Sequence, residues 1–148
     1  MKISVMGTGY VGLVSGTCLA ERGHQVTCID IRSEVVQEIN AGRPPIHEMG
    51  LDNLLRSARD KGMLSATTDA KTAILDSDVT LICVGTPTVD GRMDMSQIVA
   101  AAKEIGSALA SKRGYHVVAV KSTVLPGTTE GPVKAAIESH SGKKVGDG

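Results

Sequence analysis

The chain has 148 residues, 41% of them hydrophobic, with 16 basic and 16 acidic side chains and a formal net charge of zero. A chain of this length builds one domain with a real core, and its balanced charge excludes the basic footprint that a nucleic-acid or anionic-membrane partner requires. Only 1% of the residues are aromatic, with no Phe or Trp, so the core is aliphatic and stacking on single-stranded nucleic acid is excluded as well.

Short apolar runs alternate with stretches of helical period, the rhythm of a parallel sheet. Ile3 to Met6 predicts a strand that runs into a glycine cluster. Val11 to Glu21 predicts a helix of small and apolar residues, ended by Gly23. Val26 to Ile29 is the second strand, closed by Asp30, and Ser33 is placed to cap a helix through Ile39 with Gly42 after it. Pro44 and Pro45 interrupt the pattern. Leu51, Leu54, Leu55 and Ala58 then share one helical face ending near Gly62.

Leu64 to Thr67 predicts a third strand, and Asp69 caps the brief helix after it. Val79 to Val84 is a fourth strand, apolar enough for burial on both faces. Asp94 and Gln97 have the spacing of a capping box for a helix that turns Ile98, Ala101, Ala102, Ile105 and Leu109 inward. Val117 to Val120 is the fifth strand, and Val133 to Ile137 lies in a last helix entered near Thr129 and Pro132.

Five strands with intervening helices predict an α/β fold, a doubly wound parallel sheet of Rossmann type whose full strand order is 3-2-1-4-5-6. Residues 142–148 lead toward the sixth strand, so residues 1–148 are expected to be a dinucleotide-binding domain truncated before it.

No run approaches the ~18 apolar residues that span a bilayer, and the first residues read as a strand rather than a secretory signal. A cytoplasmic protein is expected. Cys18, Cys28 and Cys83 are an odd number without a Cys-x-x-Cys pair, which predicts neither a disulfide framework nor a zinc site. Each falls inside a predicted element, where a thiol is expected to be a small buried hydrophobe. His24, His47, His116 and His140 lack metal-ligand spacing and lie at turns or element edges, so no metal is expected.

The chemistry concentrates in Gly7-Thr8-Gly9-Tyr10-Val11-Gly12, between the first strand and the first helix. Gly7 permits the tight turn, Gly9 lets backbone approach a pyrophosphate, and Gly12 lets helix and strand pack closely. The helix-start amides and the positive end of the helix dipole favour phosphate there. Asp30 follows at the end of the second strand, roughly 20 residues on, where a carboxylate accepts from both adenosine ribose hydroxyls and repels a 2′-phosphate. NAD is therefore the expected cofactor. Arg32, just past that strand, has the position of a 2′-phosphate ligand; beside Asp30 it reads instead as a solvated cation near the adenine. Thr86 and Thr123, after the fourth and fifth strands, bring hydroxyls to the same crevice, as donors to ribose or phosphate or as ordinary turn residues. Lys121 is the one basic residue near that crevice, read as a structural partner rather than a base.

Four blocks in order, Gly7 to Gly12, Pro45 to Leu51, Asp78 to Pro87 and Ser122 to Thr128, resemble the UDP-glucose/GDP-mannose dehydrogenase family over essentially the whole chain. The last block and Ser141 to Lys144 resemble the GDP-mannose 6-dehydrogenase branch more than the UDP-glucose 6-dehydrogenase branch. The resemblance implies NAD contacts at Tyr10, Val11, Asp30, Thr86 and Thr123. The family often has a Lys reaching the adenosine where this chain has Val35, a contact that Arg32 is placed to replace. Met49 stands where the family usually has Pro, next to Glu48 in a loop near the cleft.

Enzymes of this kind oxidise a sugar C6 alcohol to a carboxylate with two NAD in succession, through a cysteine thiolate that must be exposed and activated. No cysteine here fits, so no catalytic residue is assigned. The nucleophile, the nucleotide-sugar pocket and the central helix through which full-length enzymes dimerise, or assemble further, are expected outside these residues. The chain alone is expected to bind NAD and oxidise nothing. A glycine turn with an acid after the second strand also occurs in S-adenosylmethionine-dependent methyltransferases, which Gly12 and the Thr86-Pro87 turn disfavour. A non-catalytic NAD-sensing module is the third reading.

Overall fold

Strands with apolar side chains on both faces need helices on both faces, and the computed structural model, which describes residues 1–146, has that arrangement. In chain order the elements are β1 (Lys2–Met6), α1 (Tyr10–Glu21), β2 (Gln25–Ile29), α2 (Ser33–Asn40), α3 (Leu51–Asp60), β3 (Leu64–Thr67), α4 (Ala70–Leu75) and β4 (Val79–Ile82). There follow a hairpin of β5 (Thr88–Val89) and β6 (Arg92–Met93), then α5 (Ser96–Leu109), β7 (Val117–Val120), a π-helical turn Thr129–Val133 and α6 (Lys134–Ser141). The main sheet is parallel, in the order β3-β2-β1-β4-β7. Val5 of β1 stands opposite Cys28 of β2 on one side and Leu81 of β4 on the other. The direction of winding reverses between β1 and β4, which opens a crevice beyond their carboxyl ends.

Side-chain alternation along the strands divides the core in two. Ile3, Val5, Val26, Cys28 and Leu64 pack with Leu13, Ile39 and Leu55 on the α1–α3 face. Met6, Ile29 and Ile82 pack with Ile74, Ile98, Ile105 and Ile137 on the α4–α6 face. Each fully buried Leu or Ile contributes about 1.5–3 kcal/mol of transfer free energy, so aliphatic burial alone carries this aromatic-free core.

Some local expectations fail for physical reasons. Ser33 is the first residue of α2 rather than its cap; Arg32 occupies the cap position and no side chain caps the helix. Asp94 and Gln97 form no capping box, because α5 starts at Ser96 and Asp94 instead accepts from the Ser96 amide at 2.8 Å in a local turn. Leu54 is 40% exposed, at the edge of the stripe made by Leu51, Leu55 and Ala58. β4 stops at Ile82, before Cys83 and Val84 turn away. Pro132, which cannot donate to a helical ladder, sits in the wider turn that leads into α6.

β3 and β7 are the sheet's edges among the described residues. A groove of about 760 Å³ lies beside β7, lined by Val118, Val120, Val133 and Ile137 among others. The main sheet has no sixth strand among the described residues, and the last two residues of the 142–148 stretch lie outside them. No described helix is long and apolar enough to cross a membrane.

Candidate functional site

The glycine turn is built by exclusion. Gly7 has φ +98°, and a Cβ on it would meet the Cys83 carbonyl oxygen at 2.8 Å. Gly12 faces back onto the turn, where a Cβ would lie 1.9 Å from the Gly7 carbonyl oxygen. The start of α1 is therefore pressed against the end of β1 to a distance that no side chain permits. Gly9 is different: its φ is −72° and nothing lies within 4 Å of a Cβ built on it. Among the described residues nothing requires glycine at position 9, and the space above it is open to an approaching group.

α1 has no side-chain cap and no acidic residue in its first turn. Its first ladder bond runs from the Leu13 amide to the Gly9 carbonyl at 2.9 Å, which leaves the preceding amides and the positive helix end facing the crevice. Tyr10 and Val11, 56% and 46% exposed, flank this opening. Such an end accepts the phosphates of a dinucleotide.

Asp30 lies beside it at the end of β2, only 8% exposed. Its Oδ2 accepts from the Thr8 amide at 3.3 Å and from the Thr8 hydroxyl. Its Oδ1 accepts from the Arg32 amide and from Arg32 Nε, both at 3.0 Å, while Arg32 Nη2 reaches Oδ2 at 3.3 Å. Burial pulls the carboxyl upward, but the hydrogen bonds from Arg32 and Thr8 and the charge of Arg32 outweigh it and hold Asp30 below its ordinary value of 3.8. Asp30 is thus an anion at neutral pH. Arg32 keeps its side chain 56% exposed, as a solvated cation does, and it is also paired to Asp30.

Across the crevice, the loops after β4 and β7 are tied together. Thr86 Oγ1 donates to the Thr123 carbonyl at 2.8 Å, and Ser122 Oγ donates to the Val84 carbonyl at 2.7 Å. Thr86 and Thr123 are adjacent, as expected, but the Thr86 proton is spent on Thr123.

Residues 1–147 match the model of the UDP-glucose/GDP-mannose dehydrogenase family, NAD binding domain. The chain belongs to this family. It is 50% identical to GDP-mannose 6-dehydrogenase of Pseudomonas aeruginosa over 99% of its own length and 34% of that protein. It is 45% identical to UDP-glucose 6-dehydrogenase of Haloferax volcanii, over 100% of the chain and 34% of the relative. Among solved structures, a ternary complex of GDP-mannose dehydrogenase from P. aeruginosa superposes with a TM-score of 0.96 at 50% identity, covering 97% of this chain and 33% of that one. A UDP-glucose dehydrogenase from Pyrobaculum islandicum superposes with a TM-score of 0.92 at 42% identity, over 96% and 33%. The chain spans about a third of the length of these relatives.

The UDP-glucose/GDP-mannose dehydrogenase NAD-binding domain explains the turn, and the residues present fit NAD: open space over Gly9, uncapped amides, and a buried anion beside them. Thr8 is a site residue that sequence reading did not single out. It is 1% exposed, and its signal is a hydroxyl between two glycines that must face the strand-end acid. Val35, where the family often has Lys, is buried at 6% in the α1–α3 core.

Glu48 and Met49 are exposed on the loop before α3, and Lys121 is exposed beyond β7. Burial raises Cys28 to about 12, and it raises Cys83 to about 11 against the opposing charge of Lys121. Cys18 departs from expectation: it is exposed on α1, because the buried stripe of that helix runs through Gly12, Leu13, Gly16, Thr17 and Ala20 instead. No group of His, Cys, Asp and Glu among the described residues could hold a metal ion.

His116 belongs to a polar network at the opposite end of the sheet. Lys112 Nζ reaches the Ile74 carbonyl at 2.9 Å, the Ser77 carbonyl, and His116 Nδ1 at 3.0 Å. His116 Nδ1 also lies 3.1 Å from the Ser77 carbonyl, and its Nε2 lies 2.8 Å from Thr80 Oγ1. Burial, then the Lys112 charge, lower His116 to about 4.

Proposed function

We propose that this chain is the NAD-holding part of a nucleotide-sugar 6-dehydrogenase that converts GDP-mannose to GDP-mannuronate. The observation that carries the reading is the buried, ionised Asp30 beside the open glycine turn, in a chain 50% identical to a GDP-mannose 6-dehydrogenase. Asp30 accepts the adenosine ribose hydroxyls. Gly7, Gly9 and Gly12 shape the turn, and the Tyr10 and Val11 region of α1 presents amides to the pyrophosphate. Thr86 and Thr123 border the nicotinamide side, and Arg32 borders the adenosine. Bound there, NAD supplies a hydride acceptor for oxidation of the sugar C6 alcohol.

The chain's own part is to bind and orient. The thiolate and the sugar pocket belong to the two-thirds of the relatives' length that it does not span, and the full-length protein works as a homodimer or higher oligomer. UDP-glucose as the substrate is the second reading, favoured by the 45% identity to the Haloferax enzyme.

Calorimetric titration tests the binding claim. NAD releases heat with the chain, Asp30→Ala abolishes or sharply weakens it, and S-adenosylmethionine gives none. Equal NAD heats for the chain and Asp30→Ala, with both folded, would overturn the reading.

A further inference from the structure

An ionised carboxylate has two oxygens and about four lone-pair positions. Asp30 already receives hydrogen bonds from the Thr8 amide, the Thr8 hydroxyl, the Arg32 amide, Arg32 Nε and Arg32 Nη2. The carboxylate is saturated. It has no position left for a ribose hydroxyl while the guanidinium is bound, and one opens only when both Arg32 Nε and Arg32 Nη2 leave.

The donors differ in how easily they leave. Thr8 is 1% exposed and held by the glycine turn, and the Arg32 amide is fixed at the start of α2. The Arg32 guanidinium is different, for its side chain is 56% exposed and rotates on a long stem. Among the described residues its hydrogen bonds all go to Asp30.

Resting on the proposed ribose site, we propose that Arg32 is a latch on Asp30 that competes with the adenosine ribose of NAD and narrows the discrimination against NADP. The closed latch caps the carboxylate that NAD must reach, so each binding event includes opening a half-buried ion pair. The same guanidinium offsets the negative charge that would repel a 2′-phosphate, and with its freed donors it can meet that phosphate. A bare Asp30 would favour NAD more strongly and reject NADP more strongly.

The test measures NAD and NADP affinities of the chain, Arg32→Ala, Arg32→Lys and Asp30→Ala by calorimetry, at low salt and at 1 M salt. The guanidinium side of the pair is exposed, and opening it is worth about a two- to fivefold change in affinity. Arg32→Ala therefore tightens NAD about two- to fivefold at low salt and weakens NADP, so that the NAD/NADP preference widens. Arg32→Lys, which keeps the charge without the fork, falls between. At 1 M salt, where the screening length is about 3 Å, the gap in NAD affinity between the chain and Arg32→Ala closes. A merely structural role would leave that salt dependence unmoved.

If Arg32→Ala binds NAD as the parent does, or more weakly, while Asp30→Ala loses NAD, the latch is overturned and the ribose site stands. If Asp30→Ala keeps NAD affinity, the ribose site is wrong and the latch falls with it.

Discussion

Gly12 and Gly9 sit three residues apart in one turn, yet they are glycine for unrelated reasons, and alanine at each separates the two. At Gly12 the new Cβ would lie 1.9 Å from the Gly7 carbonyl oxygen, against an ordinary contact of 3.4 Å or more, so backbone must open by about 1.5 Å. Both partners are main chain, and no rotamer relieves the clash, which places the cost near the upper end of overpacking, about 3 kcal/mol. Alanine returns about 1 kcal/mol through its better helix propensity. The clash wins by about 2 kcal/mol, a fall in Tm of roughly 4–8 °C for a domain of this size. At Gly9 the Cβ meets nothing within 4 Å, and the backbone is an extended one that alanine adopts. A weaker cap offsets a stiffer unfolded chain, so stability stays within about 1 kcal/mol. The methyl does fill the space above the turn, and NAD affinity falls about tenfold or more, which is about 1.4 kcal/mol. Thermal unfolding followed by NAD titration reads both effects. The reasoning is refuted if Gly9→Ala loses as much Tm as Gly12→Ala, or binds NAD like the parent.

Two other groups give independent checks. His116 drops from an ordinary 6.5 to about 4 in the folded chain, so below pH 6.5 the unfolded state takes up a proton that the native state refuses. Stability is therefore lost as pH falls from 6.5 toward 4, and this residue contributes no slope above 6.5. Denaturant midpoints at pH 7 and 4.5 should differ less for His116→Gln than for the parent; identical losses would mean that the imidazole is not held neutral. At pH 8 a thiol reagent should label Cys18 quickly and leave Cys28 and Cys83 untouched until the chain unfolds, because burial holds both thiols protonated. Cys18→Ser should remove the fast phase without weakening NAD, and fast labelling of Cys83 would contradict the packing of the turn.

Periodicity alone determined the parallel sheet, its strands and the order of its helices, since residues such as Ile3, Val26, Leu81 and Val118 fit only strands covered on both sides. Spacing placed the glycine turn and Asp30 in one site, because a strand–turn–helix unit leaves its acid beside its phosphate-facing amides. What local pattern cannot contain is the competition for a shared atom. That Arg32 caps Asp30, that Thr8 turns inward to the same carboxylate, and that Thr86 spends its proton on Thr123 follow from how separate segments meet. Cap positions at Ser33 and Asp94 failed for a related reason: the helix starts shifted by one or two residues under tertiary packing. The network joining Lys112 and His116 to Ser77 and Thr80 spans segments more than thirty residues apart, and hydrogen bonds of that reach exist only once the sheet has closed. The exposure of Cys18 was likewise decided by which side of α1 meets the sheet, a choice made by Gly12 and Gly16 because only small residues allow so close an approach.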